Sequence, residues 1–242
     1  MMLQADSITL AGRLTNVSAS LAPGRITAIC GPNGAGKSSL LECLAGLTVA
    51  DSGSAALNDV PLAALHPRAR AKAIGYLPQT GEVAWDVAVR SLIALGRLPH
   101  GDSGAAAVDA TLSTLDLDAL ADRPVSRLSG GERARALLAR VLAGEPQWIL
   151  ADEPLAALDL AHQLGLLRHL RRAAGEGTGV VLVLHDLALA MNHADRVLVL
   201  DRGTVVADGP PDLALASAVI EQVWGIAATW IGTPGARALA IA

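Results

Sequence analysis

Short apolar runs punctuate this chain, and between them apolar residues recur at the three-to-four spacing of a helix. The run Arg25–Cys30 (RITAIC) stops at a glycine-rich loop, and a helical pattern takes over from Lys37 to Leu47. Such a run predicts a strand buried on both faces, and the change to a 3.6-residue period predicts a helix. Ser54–Val60, closed by Pro61, reads as a further strand. The same texture returns at Trp148–Ala151, Val180–Leu184, Val197–Leu200 and Thr204–Ala207, with helices expected over Ala161–Ala174 and Leu187–His193. Strands that alternate with helices predict a mostly parallel sheet covered on both faces. From about Gly81 to Ala143 the strand texture disappears. Trp85–Leu95, Ala105–Leu115 and Glu132–Leu142 have helical spacing, with Gly and Pro between them. That stretch is expected to be an all-helical subdomain, 81–143, inserted into an α/β core made of 1–80 and 144–242.

Composition narrows the class. Hydrophobic residues make up 52% of the 242, and the mean hydropathy is +0.42, which raises the question of a membrane span. No uninterrupted apolar run approaches the roughly 18 residues a span needs. The net charge of −4 offers no basic face for nucleic acid. Cys30 and Cys43 have no metal or redox spacing and are expected to sit reduced in a core strand and a helix. The start, MMLQADSITL, lacks the basic-then-apolar order of a signal peptide. These features predict a cytosolic chain.

The chemistry begins where RITAIC ends. Gly31-Pro32-Asn33-Gly34-Ala35-Gly36-Lys37-Ser38 fits G-x-x-x-x-G-K-[ST], after a strand and at the head of a helix. Glycines let successive backbone N–H groups curl around one anion, and the helix N-terminus adds its dipole to the same point. Lys37 supplies a charge for the β- and γ-phosphates, and Ser38 a hydroxyl for Mg²⁺. This is a nucleotide site. The apolar strand WILA runs into Asp152 and Glu153. In a phosphate-loop fold it is expected beside the phosphate-loop strand, with Asp152 approaching Mg²⁺ and Glu153 acting as general base on the attacking water. Residues 128–132 read LSGGE, where two glycines open a helix that they cost stability. By itself Ser129 reads as a helix cap.

With LSGGE upstream of the acidic strand, the chain resembles the ATP-binding cassette (ABC) ATPases over nearly its whole length. GPNGAGKS looks like their Walker A motif, Gln79 in GYLPQ their Q-loop glutamine, LSGGE their signature and LADE their Walker B end. Asp159 in AALD looks like the D-loop aspartate, and His185 the switch histidine. The resemblance implies a P-loop NTPase (RecA-like) parallel-sheet core with an antiparallel β edge and an inserted all-helical subdomain. It also implies an active ATPase that binds ATP and Mg²⁺. Lys37, Gln79, Glu153 and His185 would be catalytic, and Ser38, Gln79 and Asp152 would serve the metal. Gly31 to Ser39 would hold the nucleotide. Ser129, Gly130, Gly131 and Asp159 would complete the site of a second copy packed head to tail. On this view the signature glycines let another molecule's phosphate approach the backbone. His66, His100, His162, His169 and His193 receive no role.

Some positions depart from the family pattern. No aromatic stands near the N-terminus to stack on adenine, which leaves Leu10 or Arg13 to cover the base. Ala134 stands where a glutamine often follows the signature, and Leu155 and Ala156 replace the usual Thr and Ser or Asn. One cassette without spans implies separate transmembrane permease subunits, an external substrate-binding protein reached through them, and a place on the cytoplasmic face of the membrane. ALGRLPH (Ala94–His100) and DLAHQ (Asp159–Gln163) resemble the ATPases of ferric siderophore, haem and vitamin B12 importers. The alternatives are an ABC transporter with another cargo, or a non-transport cassette such as one in iron–sulfur assembly. Trp224 and Trp230 are expected to be core.

Overall fold

The computed structural model describes residues 2–79, 86–156 and 158–241. Strands β1 (Leu3–Leu10) and β2 (Leu14–Leu21) form a hairpin, and β3 (Ile26–Cys30) leads through the glycine loop into α1 (Lys37–Leu44). Next come β4 (Ser52–Leu57), β5 (Val60–Pro61), α2 (Pro67–Ala73) and β6 (Ile74–Leu77). The middle holds α3 (Val89–Ala94), α4 (Ala105–Thr114) and α5 (Gly130–Ala143), with 3-10 turns between them. Then follow β7 (Trp148–Asp152), α6 (Leu160–Gly175), β8 (Gly179–Val183), α7 (Leu187–His193), β9 (Arg196–Asp201) and β10 (Thr204–Gly209). The chain closes with α8 (Pro211–Ala214), α9 (Ser217–Trp224) and a hairpin of β11 (Ala228–Thr233) and β12 (Ala236–Ile241).

The main sheet has the order β10-β9-β3-β8-β7-β6 and is parallel except for β10 at its edge. A second, antiparallel sheet has the order β2-β1-β4-β5. The expected α/β class with an antiparallel edge is therefore present. Period-two alternation splits each central strand between two cores. Ala28, Val180, Leu182, Val197 and Val199 face one cluster with α5, α6 and α7. Ile29, Val181, Val183, Leu198 and Leu200 face the other, with α1 and the inner side of the β1–β2 hairpin. Both faces of the sheet are dry, so these strands read as unbroken apolar runs.

Two expectations need correction. The acidic strand β7 does not lie beside β3, because β8 pairs with both and separates them. Strand adjacency is set by how the crossover helices pack, which the local sequence does not record. The single strand expected over Ser54–Val60 is two, divided by a turn at Asn58 and Asp59, whose φ values are 51° and 63°. Asn and Asp tolerate that left-handed geometry, which suits a tight hairpin. The expected boundary at Gly81 and the helix start at Trp85 lie outside the described residues; the helix is described from Val89. Cys30 and Cys43 are both buried and free, in β3 and α1 as expected. Trp230 packs half-buried on the larger core and donates its indole N–H to Leu215 O at 2.7 Å; Trp224 packs on the same core.

Candidate active site

Four neighbouring parallel strands, β3, β8, β7 and β6, end on the same edge of the sheet. Their register pairs Ile29 with Val183, Val183 with Asp152, and Ala151 with Leu77. One or two residues past those pairs stand Gly31, His185, Glu153 and Gln79, each released from its strand at the same level. Carboxyl ends of parallel strands are where such folds bind ligands. These ends frame a cleft of about 720 Å³ lined by Gly12, Arg13, Asn33, Gly34, Gly36, Lys37, Ser38, Ser39, Gln79, Glu153 and His185.

The glycine loop is held from outside as well as by its own sequence. Gly36 precedes α1 at φ 96°, and a Cβ there would stand 2.6 Å from Arg13 O. Only glycine lets the β1–β2 turn lie this close, which brings Gly12 and Arg13 into the cleft. Of the two residues expected near the base, Arg13 lines the cleft and Leu10 packs into the smaller core instead. Lys37 is buried, and its Nζ donates to the carbonyl oxygens of Gly31 and Pro32, both at 2.9 Å. Burial holds its pKa below the usual lysine value, with the nearby Glu153 carboxylate opposing the shift.

Glu153 lies at φ 48°, in the left-handed region, a strain that a non-glycine residue bears only where its surroundings impose it. The turn aims the side chain across the cleft. Oε2 accepts from Gln79 Nε2 at 2.7 Å, and Oε1 is 2.5 Å from His185 Nε2. A carboxylate only accepts, so Nε2 carries the hydrogen in this pair. His185 is set by its neighbour: Asp186 caps α7 by accepting from the N–H groups of Ala188 and Leu189 at 2.7 and 3.1 Å. Asp152, one residue before Glu153, is buried, and its Oδ1 has no hydrogen-bond partner among the described residues. Burial raises its pKa above the usual carboxylate value, while a hydrogen bond from Ser38 opposes the rise. An orphaned, buried carboxylate oxygen beside a hydroxyl is a hard oxygen donor set, which suits Mg²⁺. Among the described residues no three or more His, Cys, Asp or Glu are arranged so that together they could hold a metal ion. Mg²⁺ bound mainly by phosphates and water needs no such arrangement.

Ser129, Gly130, Gly131 and Asp159 are not among the residues lining this cleft. Ser129 and Glu132 form a full capping box at the head of α5: Ser129 Oγ accepts from Glu132 N at 3.3 Å, and Glu132 Oε2 accepts from Ser129 N at 2.7 Å. Ser129 and Gly130 face solvent, whereas Gly131 is buried. A methyl group on Gly131 would stand 2.3 Å from the ring of His162. A side chain at Gly131 would have to displace that ring, a contact within the chain that sequence reasoning missed because His162 stands 31 positions away.

A family model described as ABC transporter matches residues 14–156. The hemin import ATP-binding protein HmuV of Rhodococcus jostii is 44% identical over 232 residues, spanning 92% of this chain and 80% of its own. A solved structure described as an inward-facing, metal-chelate type ABC transporter matches with TM-score 0.83 at 25% identity, over 99% of this chain and 96% of that one. A dimeric ATP-binding cassette bound to ADP and Pi shares the fold, with TM-score 0.77 at 24% identity, over 86% of this chain and 98% of its own.

Proposed function

The chain belongs to the ABC transporter ATP-binding family, and from that premise we propose that it powers uptake of haem or a related metal chelate through a separate permease. It hydrolyses ATP, and the observation that carries the assignment of roles is the convergence of Lys37, Gln79, Glu153 and His185 on one cleft. The name of the Rhodococcus relative supports haem as the cargo, and the metal-chelate transporter supports the wider class.

In this reading residues 1–80 and 144–242 form the nucleotide-binding core and 81–143 the helical subdomain. ATP lies along Gly31–Ser39. Lys37 exchanges the carbonyls of Gly31 and Pro32 for the β- and γ-phosphates. Ser38, Gln79 and Asp152 would hold Mg²⁺, which supplies neutralising charge to the phosphates when bound. Glu153 takes a proton from water, whose oxygen attacks the γ-phosphorus; the bond to the bridging oxygen breaks, giving ADP and phosphate. Gln79 and His185 hold the two oxygens of Glu153 until water and the γ-phosphate compete for them. The site is closed by a second copy, whose exposed Ser129 and Gly130, with the N–H groups at the start of α5, face the γ-phosphate; Asp159 meets the same interface. Closing and opening of this pair is passed to permease subunits on the cytoplasmic side of the membrane. The external binding protein is reached only through them. Among the described residues no helix is long and apolar enough to cross a membrane.

Glu153→Gln is the first test. Hydrolysis should fall at least about a hundredfold, and ATP should trap a stable pair of chains. Normal turnover in that variant would remove Glu153 as the base. For the cargo, a strain lacking the gene should lose growth on haem as its only iron source and regain it with the wild-type gene but not with Glu153→Gln. Unchanged growth on haem, with loss on another chelate, would reassign the cargo.

A further inference from the structure

The contact between His162 and Gly131 joins two parts of the chain that the two-cassette reading assigns to the same task. Asp159 and Gly131 are far apart in sequence, at the heads of α6 and α5, and His162 touches both. Asp159 Oδ1 accepts from His162 N at 2.9 Å and lies 2.7 Å from His162 Nδ1. The ring's other edge covers Gly131, where a Cβ would stand 2.3 Å from Cδ2 and 2.6 Å from Nε2. Next to it, Gln163 Nε2 donates to Leu155 O at 3.1 Å and ties the start of α6 to the segment that leaves β7.

We propose that His162 is a positioning residue that locks the Asp159 loop to the Ser129–Gly131 turn, so that both arrive at the partner cassette as one rigid edge. The proposal rests on the two-cassette reading and adds a part to it. Helix capping alone asks only for the backbone N–H of His162 on Asp159. The ring does two further things. Its Nδ1–H gives the carboxylate a second bond and fixes its rotamer, and its flat edge fills the space that glycine leaves. Histidine combines a donor one bond from the ring junction with an edge thin enough to lie on a Cα. Leucine offers bulk without the donor, and asparagine the donor without the reach.

The test compares His162→Ala, His162→Leu and His162→Asn, each in the Glu153→Gln background. Two readouts are needed: ATP-driven pairing by sedimentation, and binding of a fluorescent ATP analogue at protein concentrations too low for pairing. His162→Ala and His162→Leu should each raise the concentration needed for pairing about tenfold, the scale of a lost hydrogen bond to a charged group. Analogue binding by the single chain should stay within about twofold, because the cleft does not include His162. His162→Asn keeps the donor but not the reach to Gly131, so it should recover only part of the pairing; full recovery would overturn the joint role. Asp159→Ala combined with His162→Ala should cost no more than the worse of the two alone. Pairing of His162→Leu equal to the parent would overturn the proposal, as would equal loss of pairing and analogue binding in all three variants. If the Glu153→Gln parent forms no ATP-driven pair, the two-cassette reading itself fails.

Discussion

At the scale of single residues, the site keeps groups that the isolated fold would be better without. Among the described residues Asp152 is buried with one oxygen unbonded, and burial raises its pKa above the usual carboxylate value, so keeping it charged there has a cost. Between the usual carboxylate value and its folded value, the native chain holds more protons than the unfolded one. Its contribution to stability is therefore best in acid and is lost as pH rises through the folded pKa. Asp152→Asn should raise the denaturation midpoint of the nucleotide-free protein at neutral pH, with the gain closing as the pH falls below about 4. If Asp152 helps to hold Mg²⁺ as proposed, the same change should lower ATPase activity at least about tenfold. Equal midpoints at neutral pH would show that the buried carboxylate carries no such cost. Glu153 also takes a left-handed φ in its backbone, and its carboxylate meets Gln79 and His185 across the cleft.

The segment ALGRLPH, which carried part of the family resemblance, has its physical role at the scale of elements. Arg97 is buried, and its guanidinium donates to both oxygens of Asp102 at 3.0 and 2.7 Å, to Glu145 at 2.6 Å and to Ala143 O at 3.1 Å. His100 Nε2 lies 2.9 Å from Gly144 O. Together they satisfy carbonyls at the C-terminal end of α5, which no helix can satisfy itself. Gly96 lies so close that a Cβ there would stand 2.0 Å from Arg140 O. α5 is thus fastened at one end by this segment and at the other by the Ser129 box and His162. Arg97→Ala should destabilise the chain by about 2 kcal/mol, less than a fully buried pair because both acidic partners are more than half exposed. Denaturant unfolding measures this; an unchanged midpoint would mean that α5 does not need its C-terminal clamp. The sequence marked these residues as family-like but could not say why, since Ala143 and Glu145 lie more than forty positions from Arg97.

For the whole molecule, the proposed function turns on a separation between the cleft and the residues assigned to a partner's site. The cleft carries the phosphate loop and the acids, while Ser129 and Gly130 are exposed outside it. In the absence of permease, specific ATPase activity should therefore fall as the protein is diluted, approaching a square dependence of rate on concentration at the low end. A specific activity independent of concentration over a hundredfold dilution would mean that one chain completes the reaction alone. A mixture of Lys37→Ala and Ser129→Ala chains tests the same point, since each mixed pair should keep one intact composite site.

Much of this was legible in the sequence because the causes are local. The phosphate loop needs its glycines, lysine and serine in one turn between a strand and a helix, and the acidic strand end declares itself by an apolar run that stops at two carboxylates. Unbroken apolar runs and 3.6-residue patterns located the central strands and most of the longer helices within a few residues, but not the β1–β2 and β11–β12 hairpins, β6, α2 or the last two helices. The tertiary structure alone decided what depends on contacts between distant positions. It put β8 between β3 and β7, set the carboxylate of Glu153 between Gln79 and His185, and laid His162 on Gly131. A sequence specifies which groups are available, since these follow from residue type and local period. Which of them meet is decided by how strands order and helices cross, because that energy is distributed over two buried cores rather than carried by any one segment.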